Sequence, residues 1–136
     1  MTLTIGVEGL AALNRNLRKI DAEAPKGLRL ALNTSADEFI DKVRPKIPAR
    51  TGAARASLKA ASTRTAVRVK VGGPKAPYYP WLDFGGRTGK KKSVVRKFYK
   101  EGRYLYPTLR HERAAFEASI ERALVGVIKD SGLDVD

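Results

Sequence analysis

The chain contains no cysteine and a single histidine, His111. Without thiols there is neither a disulfide framework nor a thiolate metal site, and one histidine does not build a histidine-rich zinc site. An all-carboxylate site is the remaining metal option. The closest acidic group, Asp37, Glu38 and Asp41, has the spacing of a solvated helix face. No metal or cofactor is therefore expected. Long apolar runs are missing as well: none approaches the roughly 20 residues needed to cross a bilayer, and MTLTIGVEGL lacks the basic start and apolar stretch of a secretion signal. Synthesis in the cytosol and no membrane partner are the expectations.

Catalytic patterns are equally scarce. Neither GxxxxGK[ST] nor GxGxxG occurs, so nothing in the sequence cradles a phosphate at a helix start. Asp83-Phe84-Gly85 copies the magnesium-binding tripeptide of protein kinases, but the glycine-rich loop, the catalytic-loop signature and the necessary length are all lacking. His111 stands at the start of an amphipathic helix, where a surface or partly packed role is expected rather than that of a general base, and nothing supplies a triad. The chain is expected not to be an enzyme, with no small-molecule substrate.

What the sequence does hold is a charge block. From Arg44 to Arg103 there are 17 Lys+Arg against two acids, Asp83 and Glu101, whereas the flanks are slightly acidic. The whole excess behind the net charge of +13 is thus central, and it favours a polyanion or an acidic protein surface. At 136 residues, 43% hydrophobic and 30% charged, the chain has the size and composition of one globular domain, residues 1–136.

Periodicity sketches the elements. Leu3, Ile5 and Val7 alternate as in a short half-buried strand. Leu10, Leu13, Leu17 and Ile20 form one stripe of a helix that stops near Asp21. Pro25 suits the first turn of a second, longer helix. Its apolar face is Leu28, Leu32, Ser35, Phe39 and Val43, widened by Ala31, Ala36 and Ile40, and Pro45 and Pro48 end it. ASLKAAS reads as either a strand or a short helix. In AVRVKVGG, Val67, Val69 and Val71 oppose Arg68 and Lys70, the pattern of an antiparallel strand with one wet face. Residues 72–107 are broken by prolines and glycines into a long loop, of which residues 86–103 carry eight basic residues and one acid. A last helix follows Pro107, with Leu109, Phe116, Ile120, Ala123, Leu124, Val127 and Ile128 on one side, Glu112 and Lys129 suited to its two ends, and Gly132 as its stop. The expected fold is α+β: a small antiparallel sheet, with strands near Leu3, Val67, Leu58 and Tyr104, covered by the long central helix and the C-terminal helix, plus a long basic loop.

YYPWLDFGG, residues 78–86, gathers four of the chain's ten aromatic residues. Interleaved with cations, such rings suit base stacking and phosphate contact, so a non-specific nucleic-acid-binding protein is one reading. Signatures of helix-turn-helix, zinc-finger and RNA-recognition modules are missing.

In order along the chain stand an N-terminal strand, two helices, PARTGAARASL (residues 48–58), a valine strand, YYPWLDFGG and a C-terminal helix. This order resembles the neck or tail-completion proteins, also called head-tail joining or minor tail proteins, of long-tailed double-stranded DNA bacteriophages. That family pairs a P-x-R-T-G-x-L-x-x-S stretch with a later aromatic-proline-hydrophobic-acid-aromatic-glycine stretch. Two departures are Ala54, where leucine is common, and the basic insertion 86–103. The resemblance implies a structural virion protein at the head-tail junction, assembled as a ring of six or twelve copies. Its partners would be itself, other neck and portal-adaptor proteins, tail-terminator or tail-tube proteins, and passing duplex DNA.

Ring interfaces draw on aromatic and arginine anchors. The expected subunit contacts are Arg50, Arg55, Tyr78, Tyr79, Trp81, Phe84, Phe98 and Tyr99. The alternative is that Tyr78, Tyr79, Trp81 and Phe84 close the core. The basic loop, Arg87, Lys90, Lys91, Lys92, Arg96, Lys97, Lys100 and Arg103, would face either DNA or an acidic partner, with the protein partner favoured because cations gripping phosphates would slow DNA passage.

Overall fold

The computed structural model describes residues 1–20, 22–48 and 52–130. β1 (Thr2–Gly6) leads into α1 (Leu10–Ile20) and α2 (Ala24–Val43), followed by α3 (Ala53–Ala56), β2 (Lys59–Ala60) and β3 (Ala66–Lys70). The rest is α4 (Tyr79–Phe84), β4 (Gly86–Thr88), β5 (Val94–Arg96) and α5 (Leu105–Asp130). The architecture is α+β.

β3 is the central strand of an antiparallel sheet ordered β1-β3-β2. Leu3 lies opposite Val69 and Ile5 opposite Val67. One face is therefore apolar, and Val67, Val69 and Val71 are buried on it. ASLKAAS resolves into both readings at once, the end of the short helix α3 and then β2. The strand expected near Tyr104 does not form. That residue instead leads into α5, which starts two residues before Pro107, because a proline in the first turn removes an N–H that has no intrahelical acceptor there.

α2 touches β2 and β3 as well as α1 and α5. This is why its buried set, which includes Leu28, Leu32, Ser35, Ala36, Phe39, Ile40 and Val43, is broader than a single stripe. α5 runs along it, with Phe39 and Phe116 stacked at 4.8 Å between ring centres. Ser119 Oγ donates to Glu38 Oε2 at 2.7 Å and lies 3.1 Å from Ser35 Oγ, a polar stitch in the same seam. The first half of α5 reaches β1, where Ile5, Leu109 and Phe116 share a small cavity. On α1 the buried residues are Leu10, Asn14 and Leu17, while Ile20, expected on that stripe, is 50% exposed at the helix end. The expected stops at Asp21 and Gly132 fall outside the described residues.

The largest departure lies in residues 72–107. Proline-rich sequence there forms α4, with Pro80 in the first turn, and the charged run forms a β4–β5 hairpin. Gly86 pairs with Arg96, Arg87 with Val95 and Thr88 with Val94. The expected loop is thus an organised appendage, closed at its base against α4.

Candidate functional site

α4 is too short to be stable alone, and its aromatic side chains divide between interior and surface. Tyr79, three residues before Leu82 and four before Asp83, is fully buried in the main core cluster. It has no surface to offer a neighbouring chain, so its expected role as an interface anchor is corrected: it closes the core. Tyr78 is exposed, and Trp81 and Phe84 are half-buried. The Trp81 Nε1–H donates to Gly86 O at 3.1 Å, and the Phe84 ring tilts onto Tyr106 at 6.0 Å.

The organising residue is one that the sequence reading set aside. Asp83 is completely buried, and its carboxylate accepts four hydrogen bonds. The Tyr79 hydroxyl donates to Oδ2 at 2.7 Å. The backbone N–H groups of Arg103 and Tyr104 donate to Oδ1 at 2.6 and 3.0 Å, and that of Leu105 to Oδ2 at 3.3 Å. A helix start leaves its first N–H groups without intrahelical partners and carries partial positive charge. Asp83 supplies the missing acceptor to α5 from twenty residues upstream, and charge-assisted bonds of this kind stabilise a buried carboxylate. The sequence signal was the placement of one of only two acids in the 60-residue basic block inside an apolar, aromatic run. A charged residue there needs buried partners.

The hairpin is locked to α4 by the same region. Gly85 has φ +89°, and a Cβ there would fall 2.0 Å from Lys97 O. Tyr99 N–H donates to Phe84 O at 2.7 Å. The Arg103 guanidinium donates to Asp83 O at 3.1 Å and to Lys97 O, and its Cζ lies 4.3 Å from the centre of the Tyr99 ring. Arg96 donates to the Tyr104 hydroxyl at 2.8 Å and sits 5.8 Å from the Trp81 ring.

These contacts sort the expected basic contact residues. Arg96 and Arg103 are half-buried and hold the hairpin base. Arg87, Lys90, Lys91, Lys92, Lys97 and Lys100 are exposed. Lys97 lies 5.4 Å from the Tyr99 ring. At the tip, Lys91 and Lys92 have φ of 55° and 54°, a backbone region costly for side chains other than glycine, asparagine and aspartate. Val95 and Phe98 are each 63% exposed, and Tyr99 is exposed too.

Of the first stretch, Arg50 lies outside the described residues. Arg55 turns inward, donating to the carbonyls of Ile47 and Pro45. Ser57 Oγ donates to Ala54 O and accepts from Gly72 N–H at 2.8 Å. The first stretch and YYPWLDFGG, distant in sequence, face each other across a groove of about 560 Å³. Pro48, Gly52 and Ala54 form one wall, and Tyr78, Trp81 and Leu82 another, with Arg96 at the edge of the hairpin. Ala54 is at the same time buried in the main core cluster.

Tyr79 offers a test of the buried arrangement. Burial first, then its hydrogen bond to the Asp83 carboxylate, push its hydroxyl well above the ordinary 10.0. The folded chain therefore keeps the proton where the unfolded chain loses it, and this stabilisation is intact below pH 10 and declines as pH rises above it. We predict that urea midpoints measured from pH 9 to 11.5 fall more steeply in the native chain than in Tyr79→Phe. The difference should approach about 1.4 kcal/mol per pH unit above pH 10; parallel profiles would show that the hydroxyl titrates alike in both states.

No protein-family model, curated protein or solved structure matches this chain.

Proposed function

We propose that the chain is a structural component of a tailed bacteriophage neck, forming a ring at the head-tail junction that joins or completes the tail. The observation that carries this reading is the meeting of two stretches. The residues that resemble the family lie in two separate segments, and both line one groove, flanked by a hairpin that presents cations and apolar side chains together. A closed ring needs two different complementary surfaces on each subunit. The groove and the hairpin are two such surfaces, and aromatic and arginine side chains are the usual stock of interface centres.

Duplex DNA is the competing partner for the hairpin. Phosphates would engage Lys90, Lys91 and Lys92, but they give no favourable contact to Val95 or Phe98, whereas an acidic protein surface with an apolar pocket takes both. The reading is tested in particles. Mass spectrometry of purified virions should find the chain at a ring's copy number, and electron microscopy of particles made without it should show filled heads separate from tails. Joined, full-length particles lacking the chain would overturn the reading.

A further inference from the structure

β1 is an edge strand, joined on one side only, to β3. In an antiparallel pair, successive residues turn their N–H and C=O alternately toward the partner strand and away from it. Two bonds fix the phase here. Val71 N–H donates to Met1 O at 3.0 Å on the β1 side of β3, and Ala61 N–H donates to Arg68 O at 3.0 Å on the β2 side. With Leu3 opposite Val69 and Ile5 opposite Val67, Leu3 and Ile5 therefore direct their backbone groups to β3. Those of Thr2, Thr4 and Gly6 point outward. All three residues are exposed, and these groups have no hydrogen-bond partner among the described residues.

An open edge is a template for another strand, and proteins normally guard it with lysine, proline or a bulge. β1 reads TLTIG in unbroken register and carries none of these; its two threonines favour extended backbone. The occupant has to suit a chain of net charge +13. Arg68 and Lys70 of β3 stand opposite Thr4 and Thr2, so β5 of a second copy would bring Arg96 and Lys97 beside two more cations. A second β1 is uncharged and brings no such repulsion. It is also self-complementary. Laid antiparallel about Thr4, it places Thr4 opposite Thr4, Thr2 opposite Gly6 and Leu3 opposite Ile5, so every outward group meets a partner and the apolar faces align. Leu3 of the second copy then covers Ile5, which is half-buried beside the cavity it shares with Leu109 and Phe116.

We infer that two copies join edge to edge through β1, with the N–H and C=O of Thr4 bonding those of Thr4 in the second copy, to give one continuous sheet ordered β2-β3-β1-β1-β3-β2. Because both copies offer the same surface, the contact is twofold and complete with two copies. This goes beyond the ring reading, since it uses neither the groove nor the hairpin.

Thr4→Pro is the deciding variant. The N–H it removes takes no part in the β1–β3 ladder, and proline is tolerated where an edge N–H faces solvent, so the monomer should keep its native melting temperature. In sedimentation equilibrium the native chain should form dimers as concentration rises. Thr4→Pro should need about tenfold more protein, or beyond, to reach the same dimer fraction. If the proline variant melts early, Thr4→Lys decides instead: it opposes like charges at the twofold axis and leaves the backbone whole. Thr4→Val should dimerise as the native chain does. Amide hydrogen exchange locates the contact. In the dimer, Thr4 N–H should exchange about tenfold more slowly than in the monomer, while the N–H groups of Leu3 and Ile5 are protected in both. A native chain that stays monomeric, a Thr4→Lys chain that dimerises normally, or a Thr4 N–H equally protected in the monomer overturns the inference. If oligomers form equally in the native and Thr4→Pro chains, the edge contact fails while the ring stands; Thr4-dependent dimers of a chain absent from particles leave the reverse.

Discussion

Asp83→Ala should cost the fold about 3–5 kcal/mol. Two of the donors that the carboxylate accepts, the Tyr79 hydroxyl and the Leu105 N–H, are buried and would lose their acceptor with no water to replace it. An unsatisfied buried donor costs about 1–3 kcal/mol. The other two donors, at Arg103 and Tyr104, are only partly buried and recover some of the loss by hydration. For a chain of this size the melting temperature should fall by roughly 10–20 °C. Asp83→Asn should fall between the two proteins. It keeps the shape but turns one acceptor into a donor facing other donors, and it removes the negative charge that opposes the start of α5. Thermal unfolding followed by circular dichroism distinguishes these outcomes, and an Asp83→Ala protein melting within about 3 °C of the native one (under 1 kcal/mol) would show that the carboxylate does not hold α4 to α5.

Gly85→Ala should be nearly as severe, and its damage should be confined to one place. With φ of +89° and ψ of −164°, Gly85 occupies a region that is essentially glycine-only, costing about 1–3 kcal/mol for other residues. The added Cβ would also sit 2.0 Å from Lys97 O, so the hairpin base has to open. We expect a total cost of about 3 kcal/mol or more. The hairpin should detach before the body unfolds, because the sheet and the α2–α5 seam do not pass through it. Trypsin is the natural probe, since Lys90–Lys92 stand at the tip. Cleavage there should accelerate at least tenfold at temperatures where α2 and α5 remain folded. A native cleavage rate in Gly85→Ala would mean that the strands are held by something other than this close approach.

Repeating patterns carried most of the fold. The i, i+3, i+4 spacing from Leu28 to Val43 and the alternation from Val67 to Val71 are local consequences of burying one face, so they can be read before any tertiary contact is known. Ile20 kept the helical spacing but lies where α1 ends, and periodicity does not say where cover runs out. α4 was hidden because Pro77 and Pro80 resemble loop punctuation, although a proline in a first turn is compatible with a helix. The hairpin was hidden because its strands are three residues each, too short to show alternation against a background of lysine. For the candidate site, Tyr78 and Trp81 were legible as bulky side chains gathered in one stretch. The partition that sends Tyr79 inward depends on Asp83, whose partners are the backbone N–H groups of residues 103–105, and no spacing rule relates position 83 to those positions.

The clamp at Gly85, Lys97 and Arg103 also divides the chain by inheritance of shape. Everything between it and the tip is anchored at one base and touches little else, so residues 89–93 are free to lengthen, shorten or change charge without disturbing the packing of α2 on α5. Variants of this molecule with other tips would keep the body's melting behaviour and exchange only what the tip adheres to, making the appendage a replaceable fitting on a constant frame.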